Sequence, residues 1–343
     1  MKAAYINRYG KIDDVQLDEQ PKPSISKDSV LVKVHAVSIN PLDLRVLEGN
    51  DFAGVVAQVG SNVTQFKVGD EVYAKTDLNG AFAEYTIVQQ SSLALKPQNI
   101  SMEHAASLPL VSLTAWQALV EIAKLRSGQK VLIHAGSGGV GSIAIQLAKH
   151  LGATVATTTS GKNTRWVREL GADIIIDYKT IDFEQELKDY DVVLDTQGGK
   201  TLEKSLNVVK RGGRIISISG PPDRAFAEAI KANWLLKFII PLLSWSIRNK
   251  AKKRDITYSF LFMQPNGYQL SQIAELVEAG KIKPIVDKEY PFSQMNEALQ
   301  YVNTGRTKGC LFFNIGVIGF NQMKELMVLQ ALLQLVLTKC LDS

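Results

Sequence analysis

The rhythm of apolar and polar positions changes near residue 108. Before it, short alternating or apolar runs such as SVLVKVHAVSI (29–39) and FAGVVAQVG (52–60) are separated by turn-formers such as GSN and VGD. Many short strands joined by glycine-rich turns predict a small β-barrel. From KVLIHA (130–135) onward, strand-like runs alternate with helix-like ones. The strands are TVATTT (154–159), DIIIDY (173–178), DVVLDT (191–196) and RIISIS (214–219); between them lie VGSIAIQLAKHL, TRWVREL, FEQELKD and TLEKSLNVVK. Such alternation predicts a parallel sheet covered by helices. In the first helix, Val140, Ile143, Ala144, Leu147, Ala148 and Leu151 fall at i, i+3, i+4, i+7, i+8 and i+11, which makes one apolar face against the sheet.

The turn between that first strand and helix carries the most informative chemistry. GSGGVG (136–141) fits G-x-G-x-x-G, and it follows a strand and opens a helix, the context that gives the pattern meaning. Gly136 permits the tight turn, Gly138 lets the backbone approach a pyrophosphate, and Gly141 lets helix and strand pack closely. The helix N-terminus offers N–H groups and a positive dipole end to the phosphates. An NAD site normally ends its second strand with an acid for the ribose 2′-OH. Here that strand runs into TTTSGKNTR, with no acid before Glu169 and with Ser160, Lys162, Asn163 and Arg165 instead. Donors and positive charge suit a 2′-phosphate, so NADP(H) fits better than NAD(H). A solvated polar loop is the plainer alternative.

Composition narrows the picture. The 343 residues allow about two domains, and 45% hydrophobic with 21% charged residues is ordinary for a globular protein. A net charge of +5, mostly scattered, argues against a nucleic-acid partner. Two cysteines, Cys310 and Cys340, exclude a disulfide framework and any multi-cysteine zinc site, and the four histidines show no metal-ligand spacing. The opening MKAAYINRYG has no apolar signal segment, so a reducing cytoplasm is the expected compartment.

Several longer stretches resemble the medium-chain dehydrogenase/reductase superfamily, and within it the zinc-free quinone oxidoreductase (zeta-crystallin-like) branch. They are VHAVSINPLDL (34–44), NDFAGVVAQVGSNVTQFKVGDEVYA (50–74), GAFAEYTIV (80–88), AASLPLVSLTAWQAL (105–119), the phosphate loop, YSFLFMQPNGYQL (258–270) and the segment from LVEAGKIKP to GRTKG. The resemblance covers residues 1 to about 315. It implies an α/β fold: a GroES-like β-barrel catalytic domain plus an inserted Rossmann-type, doubly wound parallel-sheet domain. The division expected is 1–108 for the first part of the catalytic domain, 109–256 for the NADP-binding domain, 257–315 for the return, and 316–343 as an extra tail. It further implies NADPH-dependent reduction of quinones or α,β-unsaturated carbonyls, often by a homo-oligomer.

Carried over by position, Asn40 would sit beside nicotinamide and substrate, and Thr114 close to the nicotinamide ring. Ser137, Gly139 and Val140 would contact the pyrophosphate, alongside Gly138. Ser160, Lys162 and Tyr178 would hold the 2′-phosphate end, Phe260 and Leu261 would line the nicotinamide pocket with backbone and side chain, and Lys308 would approach from the return segment. Asn40 as a mere turn residue before Pro41, and Thr114 as a hydroxyl bonded to its own helix, are the structural alternatives. No general acid stands out. Alcohol dehydrogenases of the superfamily place a Cys where this chain has SINPLD and a Gly-His-Glu where it has GNDFAG. Neither Cys nor His is present there, so no metal is expected. Without a Lewis acid, simple alcohols are poor substrates, whereas an activated double bond needs mainly orientation and hydrogen-bond donors.

Two departures from the family pattern leave room for another reading, an NADPH-binding regulatory or interaction protein with little turnover. Leu47 runs straight to Asn50 where a longer pocket loop is usual, and residues 316–343 are extra. A third stretch, WLLKFIIPLLSWSI (234–247) followed by Arg248, Lys250, Lys252, Lys253 and Arg254, is compatible with an interfacial helix on an anionic membrane. A cleft cover or subunit contact with a solvated basic end is the reading preferred, and membrane contact is not favoured.

Overall fold

The structure is a computed structural model and describes residues 1–6, 15–46, 49–77, 80–305 and 307–314. The shortened loop at Leu47 and Glu48, residues 316–343 and Cys340 lie outside them.

Two sheets organise the molecule. The first has seven strands. Along its path run Val286–Pro291, Cys310–Asn314, Ser29–Ile39, Asp51–Val59, Glu71–Lys75 and Leu93–Leu95, with Tyr85–Gln89 also paired to Ser29–Ile39. All its pairs are antiparallel except the first. Val32, Phe52, Phe82, Leu299, Leu311 and Phe313 fill its interior. The strand Cys310–Asn314, from the far end of the described chain, inserts beside Ser29–Ile39. The barrel is therefore completed by residues separated by most of the sequence. A two-stranded sheet, Lys2–Ile6 with Val15–Glu19, lies against it through the Ala4 N–H and the Phe82 carbonyl.

The second sheet has six parallel strands, ordered Ile174–Asp177, Thr154–Thr159, Lys130–Ile133, Tyr190–Asp195, Val209–Ser217 and Thr257–Phe260. In chain order this is 3-2-1-4-5-6, the doubly wound arrangement whose strand order reverses beside the first strand. Both faces are covered, which is why its strands read as near-continuous apolar runs. Val131 and Ile133 face one core with Ile143, Leu147, Leu270 and Ile273. Leu132, between them, faces the other with Phe183, Leu187, Leu202 and Leu206. The apolar stripe expected on the first helix packs as read: Ile143, Ala144, Leu147 and Ala148 are in the core, with Val140 and Leu151 at its margin.

The structure corrects one assignment. Thr257–Phe260, placed at the start of the return segment, is the sixth strand of the parallel sheet, with Ile216 opposite Ser259 and Ser217 opposite Phe260. It is a four-residue edge strand, too short to show alternation. The two sheets are joined closely: the Tyr73 hydroxyl donates to the Leu270 carbonyl (2.7 Å) and the Gln146 amide to the Lys283 carbonyl (3.0 Å).

Candidate functional site

The phosphate loop sits where strand order reverses, at the carboxyl end of Lys130–Ile133. Its entry is strained: Ala135 has φ +52°, a left-handed conformation rare for a residue with a side chain. The Ala135 N–H donates to Thr158 Oγ1 (3.1 Å), and His134 Nδ1 lies 3.1 Å from the same oxygen while its Nε2 lies 3.0 Å from Ser205 Oγ. Burial pushes the imidazole down to about 4, so His134 is a neutral structural brace.

The three motif glycines have different reasons to be glycine. A Cβ on Gly136 would lie 2.1 Å from Thr157 Oγ1, and one on Gly141 would lie 2.3 Å from the Ala135 carbonyl. Both are packing constraints. A Cβ on Gly138 would meet only the Ala135 carbonyl, at 3.4 Å, an ordinary contact. Space there is kept open by nothing inside the protein, as a close backbone approach to a ligand requires. The phosphate helix, Gly139–His150, begins immediately after Gly138 and has no side-chain cap, so its first N–H groups remain available to an anion. Ser137, Gly138, Gly139 and Val140 thus form one cradle that fits a dinucleotide pyrophosphate.

The return segment closes onto this cradle. The Gly309 N–H donates to the Ser137 carbonyl (3.1 Å), and Gly138 and Gly309 form an isolated parallel bridge. Lys308 is therefore adjacent to the loop, with an exposed side chain and its N–H donated to Asp287. A Cβ on Gly139 would come within 3.2 Å of Cys310 Sγ. Burial, together with the Asp51 charge, pushes that thiol up to about 12, so Cys310 packs the cradle as a thiol.

Ser160, Lys162 and Tyr178 gather at the ends of the neighbouring strands, where the Tyr178 N–H donates to the Thr159 carbonyl (3.2 Å). Lys162 and Tyr178 are exposed and Ser160 is buried. Thr159 Oγ1 and Asn163 Oδ1 are buried there without a hydrogen-bond partner: the hydroxyl could donate to a phosphate, and the amide oxygen could accept from a ribose hydroxyl. The structure adds a residue that reading along the chain did not bring here. Asp177 ends the next strand, opposite Thr159, and its Oδ2 lies 2.5 Å from where a Gly161 Cβ would stand. An acid is thus present in space though absent from the loop.

A buried carboxylate ties Asn40 to the helix Pro109–Trp116, which carries Thr114. Asn40 Nδ2 donates to Asp51 Oδ2 (3.0 Å), and Asp51 also accepts the Leu110 N–H (3.1 and 3.2 Å). Thr114 Oγ1 donates to the Leu110 carbonyl (2.6 Å), the helix-internal bond weighed above, which leaves its hydroxyl oxygen as an acceptor. A second carboxylate braces the same asparagine: Asp43 accepts the Asn40 N–H (2.6 Å) and Asn50 Nδ2 (2.6 Å). Asp43 and Asp51 are both fully buried. Burial pushes Asp43 up to about 6, and burial plus the Asp43 charge pushes Asp51 well above the usual carboxylate range. Lys75, half-buried, is pushed down by burial and held up by Asp51, Asp77 and Asp43. Sequence reasoning singled out Asn40 and missed its two braces. The signal was present, because Asn40 follows the strand Ser29–Ile39 directly and Asp51 opens its antiparallel partner, where Ser38 faces Asp51.

Phe260 and Leu261 lie at the end of the edge strand. Their N–H groups are occupied, by Asp223 Oδ2 (3.0 Å) and by the Ser217 carbonyl (2.9 Å). Any backbone part they play in a nicotinamide pocket falls to their carbonyls. Leu261 is buried and Phe260 is stacked edge-on against Phe226.

Comparison with known proteins agrees with this architecture. Residues 26–98 match the alcohol dehydrogenase GroES-like domain, and residues 170–311 match the zinc-binding dehydrogenase family. The chain is 35% identical over 339 residues to an NADPH-dependent alkenal/one oxidoreductase, chloroplastic, of Arabidopsis thaliana, covering 90% of this chain and 78% of the relative. Among solved structures, the quinone oxidoreductase of Coxiella burnetii superposes with a TM-score of 0.80 at 30% identity, covering 92% of this chain and 99% of its own. The Escherichia coli quinone oxidoreductase complexed with NADPH superposes with a TM-score of 0.78 at 25% identity, covering 92% and 100%. A barrel completed by the return strand, a 3-2-1-4-5-6 parallel sheet and a glycine cradle at its reversal point, together with these matches, show that the chain belongs to the medium-chain dehydrogenase/reductase superfamily.

Proposed function

We propose that this protein is an NADPH-dependent oxidoreductase that reduces quinones or α,β-unsaturated carbonyl compounds without zinc. The observation that carries the reading is the Asn40 amide, held by Asp51, which also accepts the Leu110 N–H of the helix Pro109–Trp116, whose Val111 lies against Gly139 of the phosphate cradle. Bound NADPH would supply hydride. The chain supplies the rest. The cradle from Ser137 to Val140 binds the pyrophosphate, and Ser160, Lys162 and Tyr178 receive the 2′-phosphate end. Asn40 Nδ2, with one hydrogen engaged by Asp51, would offer its second to the substrate oxygen, where negative charge develops as the double bond is reduced. Fixing that donor in advance avoids reorganisation during reaction. Thr114, Phe260, Leu261 and Lys308 line the approach.

The donor set speaks for chemistry without zinc. At the positions where a catalytic zinc would be expected, the chain has Asn40, Asp43, Asn50 and Asp51, already bonded to one another. Zinc prefers thiolate and imidazole, and these four offer neither. NADPH oxidation measured against quinones, enals and enones should show turnover. NADP+ with simple alcohols should show little, and chelators should change nothing. Stoichiometric zinc lost together with activity would overturn the zinc-free mechanism.

Cofactor choice is a separate expectation. A 2′-phosphate near Ser160 and Lys162 gains charge-assisted bonds of roughly 1.5–3 kcal/mol each. Exposure of Lys162 and the nearby Asp177 carboxylate pull against this, so the preference for NADPH over NADH should be about tenfold. Lys162→Ala should weaken NADPH and leave NADH nearly unchanged. Ser160→Asp should narrow or reverse the preference, and Asp177→Asn should widen it. Equal affinities of the wild type for both cofactors would reduce this end of the site to a solvated loop.

A further inference from the structure

The helix Trp234–Leu243 leaves most of its side chains exposed. Of its ten residues only Ile240 is buried. Trp234 is 81% exposed, Phe238 70%, Leu242 56%, and Trp245, just beyond it, 62%. At 100° per residue, Trp234, Phe238, Leu242, Leu235 and Ile239 fall within an arc of about 140°, a continuous apolar face. Contiguous exposed apolar surface of this kind marks an interaction site, unlike scattered surface leucines.

Charge says what the face meets. Between residues 231 and 254 there are seven Lys or Arg and no Asp or Glu, against +5 for the whole chain. On the adjoining helix Trp245–Lys253, Lys250 pairs with Glu203, while Arg248, Lys252 and Lys253 are exposed without an acidic partner among the described residues; so is Lys237. A second copy seated on this face would bring two such clusters together. An anionic lipid surface instead satisfies both features. It takes the apolar face into the acyl boundary and sets the cations against headgroups, with tryptophans at both ends of the apolar helix in the interfacial layer. Ten helical residues span only about 15 Å, half a hydrocarbon core, and no described helix is long and apolar enough to cross a membrane. The helix would lie along the surface rather than pass through it.

We propose that the segment 234–254 docks this protein peripherally on anionic membranes. The full chain is tested by flotation with phosphatidylcholine vesicles with and without phosphatidylserine. Binding should require phosphatidylserine and fall as ionic strength rises. Each cation near the surface contributes about fivefold, so the triple variant Arg248→Gln, Lys252→Gln, Lys253→Gln should bind about a hundredfold more weakly. The double variant Trp234→Ser, Phe238→Ser should also lose binding. All five positions are exposed, so an unchanged melting temperature shows that the fold is kept. Absence of flotation, or flotation indifferent to phosphatidylserine and to the triple variant, would overturn the proposal. So would sedimentation showing a dimer that the double variant splits, with no vesicle binding by either form; the face would then belong to a second copy.

Discussion

Gly138→Ala should leave the fold standing and weaken NADPH about ten- to a hundredfold. Gly138 has φ −87° and ψ 174°, extended backbone open to any residue, and an added Cβ would meet only the Ala135 carbonyl at 3.4 Å. The methyl group would restrict the unfolded chain, so stability should be unchanged or higher by about 0.4–1 kcal/mol. The same methyl would stand where, in the proposed cradle, a pyrophosphate approaches the backbone. Losing one charge-assisted hydrogen bond to the pyrophosphate, roughly 1.5–3 kcal/mol, corresponds to a loss of about ten- to a hundredfold. Gly141→Ala is the control. Its Cβ would lie 2.3 Å from the Ala135 carbonyl, so that variant should lose stability before any cofactor is added. Calorimetric titration with NADPH and thermal melts of both variants separate the two causes. Wild-type affinity in a stable Gly138→Ala protein would remove the cradle as the phosphate site.

Asn40→Ala should reduce kcat by about tenfold to a thousandfold while NADPH affinity stays close to wild type. The asparagine is braced twice, by Asp51 through its amide and by Asp43 through its N–H. Its side chain is thus preorganised, which gives a single donor that much weight. Removing it also leaves Asp51 short of one donor, though the Leu110 N–H remains, and the variant should lose about 1–3 kcal/mol of stability. Asp51→Asn keeps an acceptor oxygen for Asn40 and should cost less activity than Asn40→Ala. Stopped-flow measurement of NADPH oxidation, with binding titrated separately, makes the distinction. An unchanged kcat would exclude Asn40 from the reacting centre.

Much of the fold was legible because both faces of the parallel sheet are covered. Val131, Leu132 and Ile133 all have to be apolar, and such runs announce themselves. The glycine cradle was legible because its constraints are local. The edge strand Thr257–Phe260 was not: it has one neighbour and four residues, and little in its composition records that pairing. Asp177 escaped for a different reason. It is 17 residues beyond Ser160 in the chain, and only the parallel pairing of two strands puts it beside the loop. The apolar segment 234–243 is exposed where burial is the usual fate of such residues, and only the basic cluster that follows it in the chain hints at an outward face.

The brace between Gly309 and Ser137 has a consequence for synthesis. The cradle's glycines leave the ribosome early, but the N–H that ties them down is encoded roughly 170 residues later. At about 5–20 residues per second, that interval is about 10–30 s. Throughout it the nascent nucleotide sheet carries a cradle without its last support, and the barrel lacks the strand that closes it. A chain that ends short of Gly309 therefore lacks both the N–H that ties down the cradle and the strand that closes the barrel.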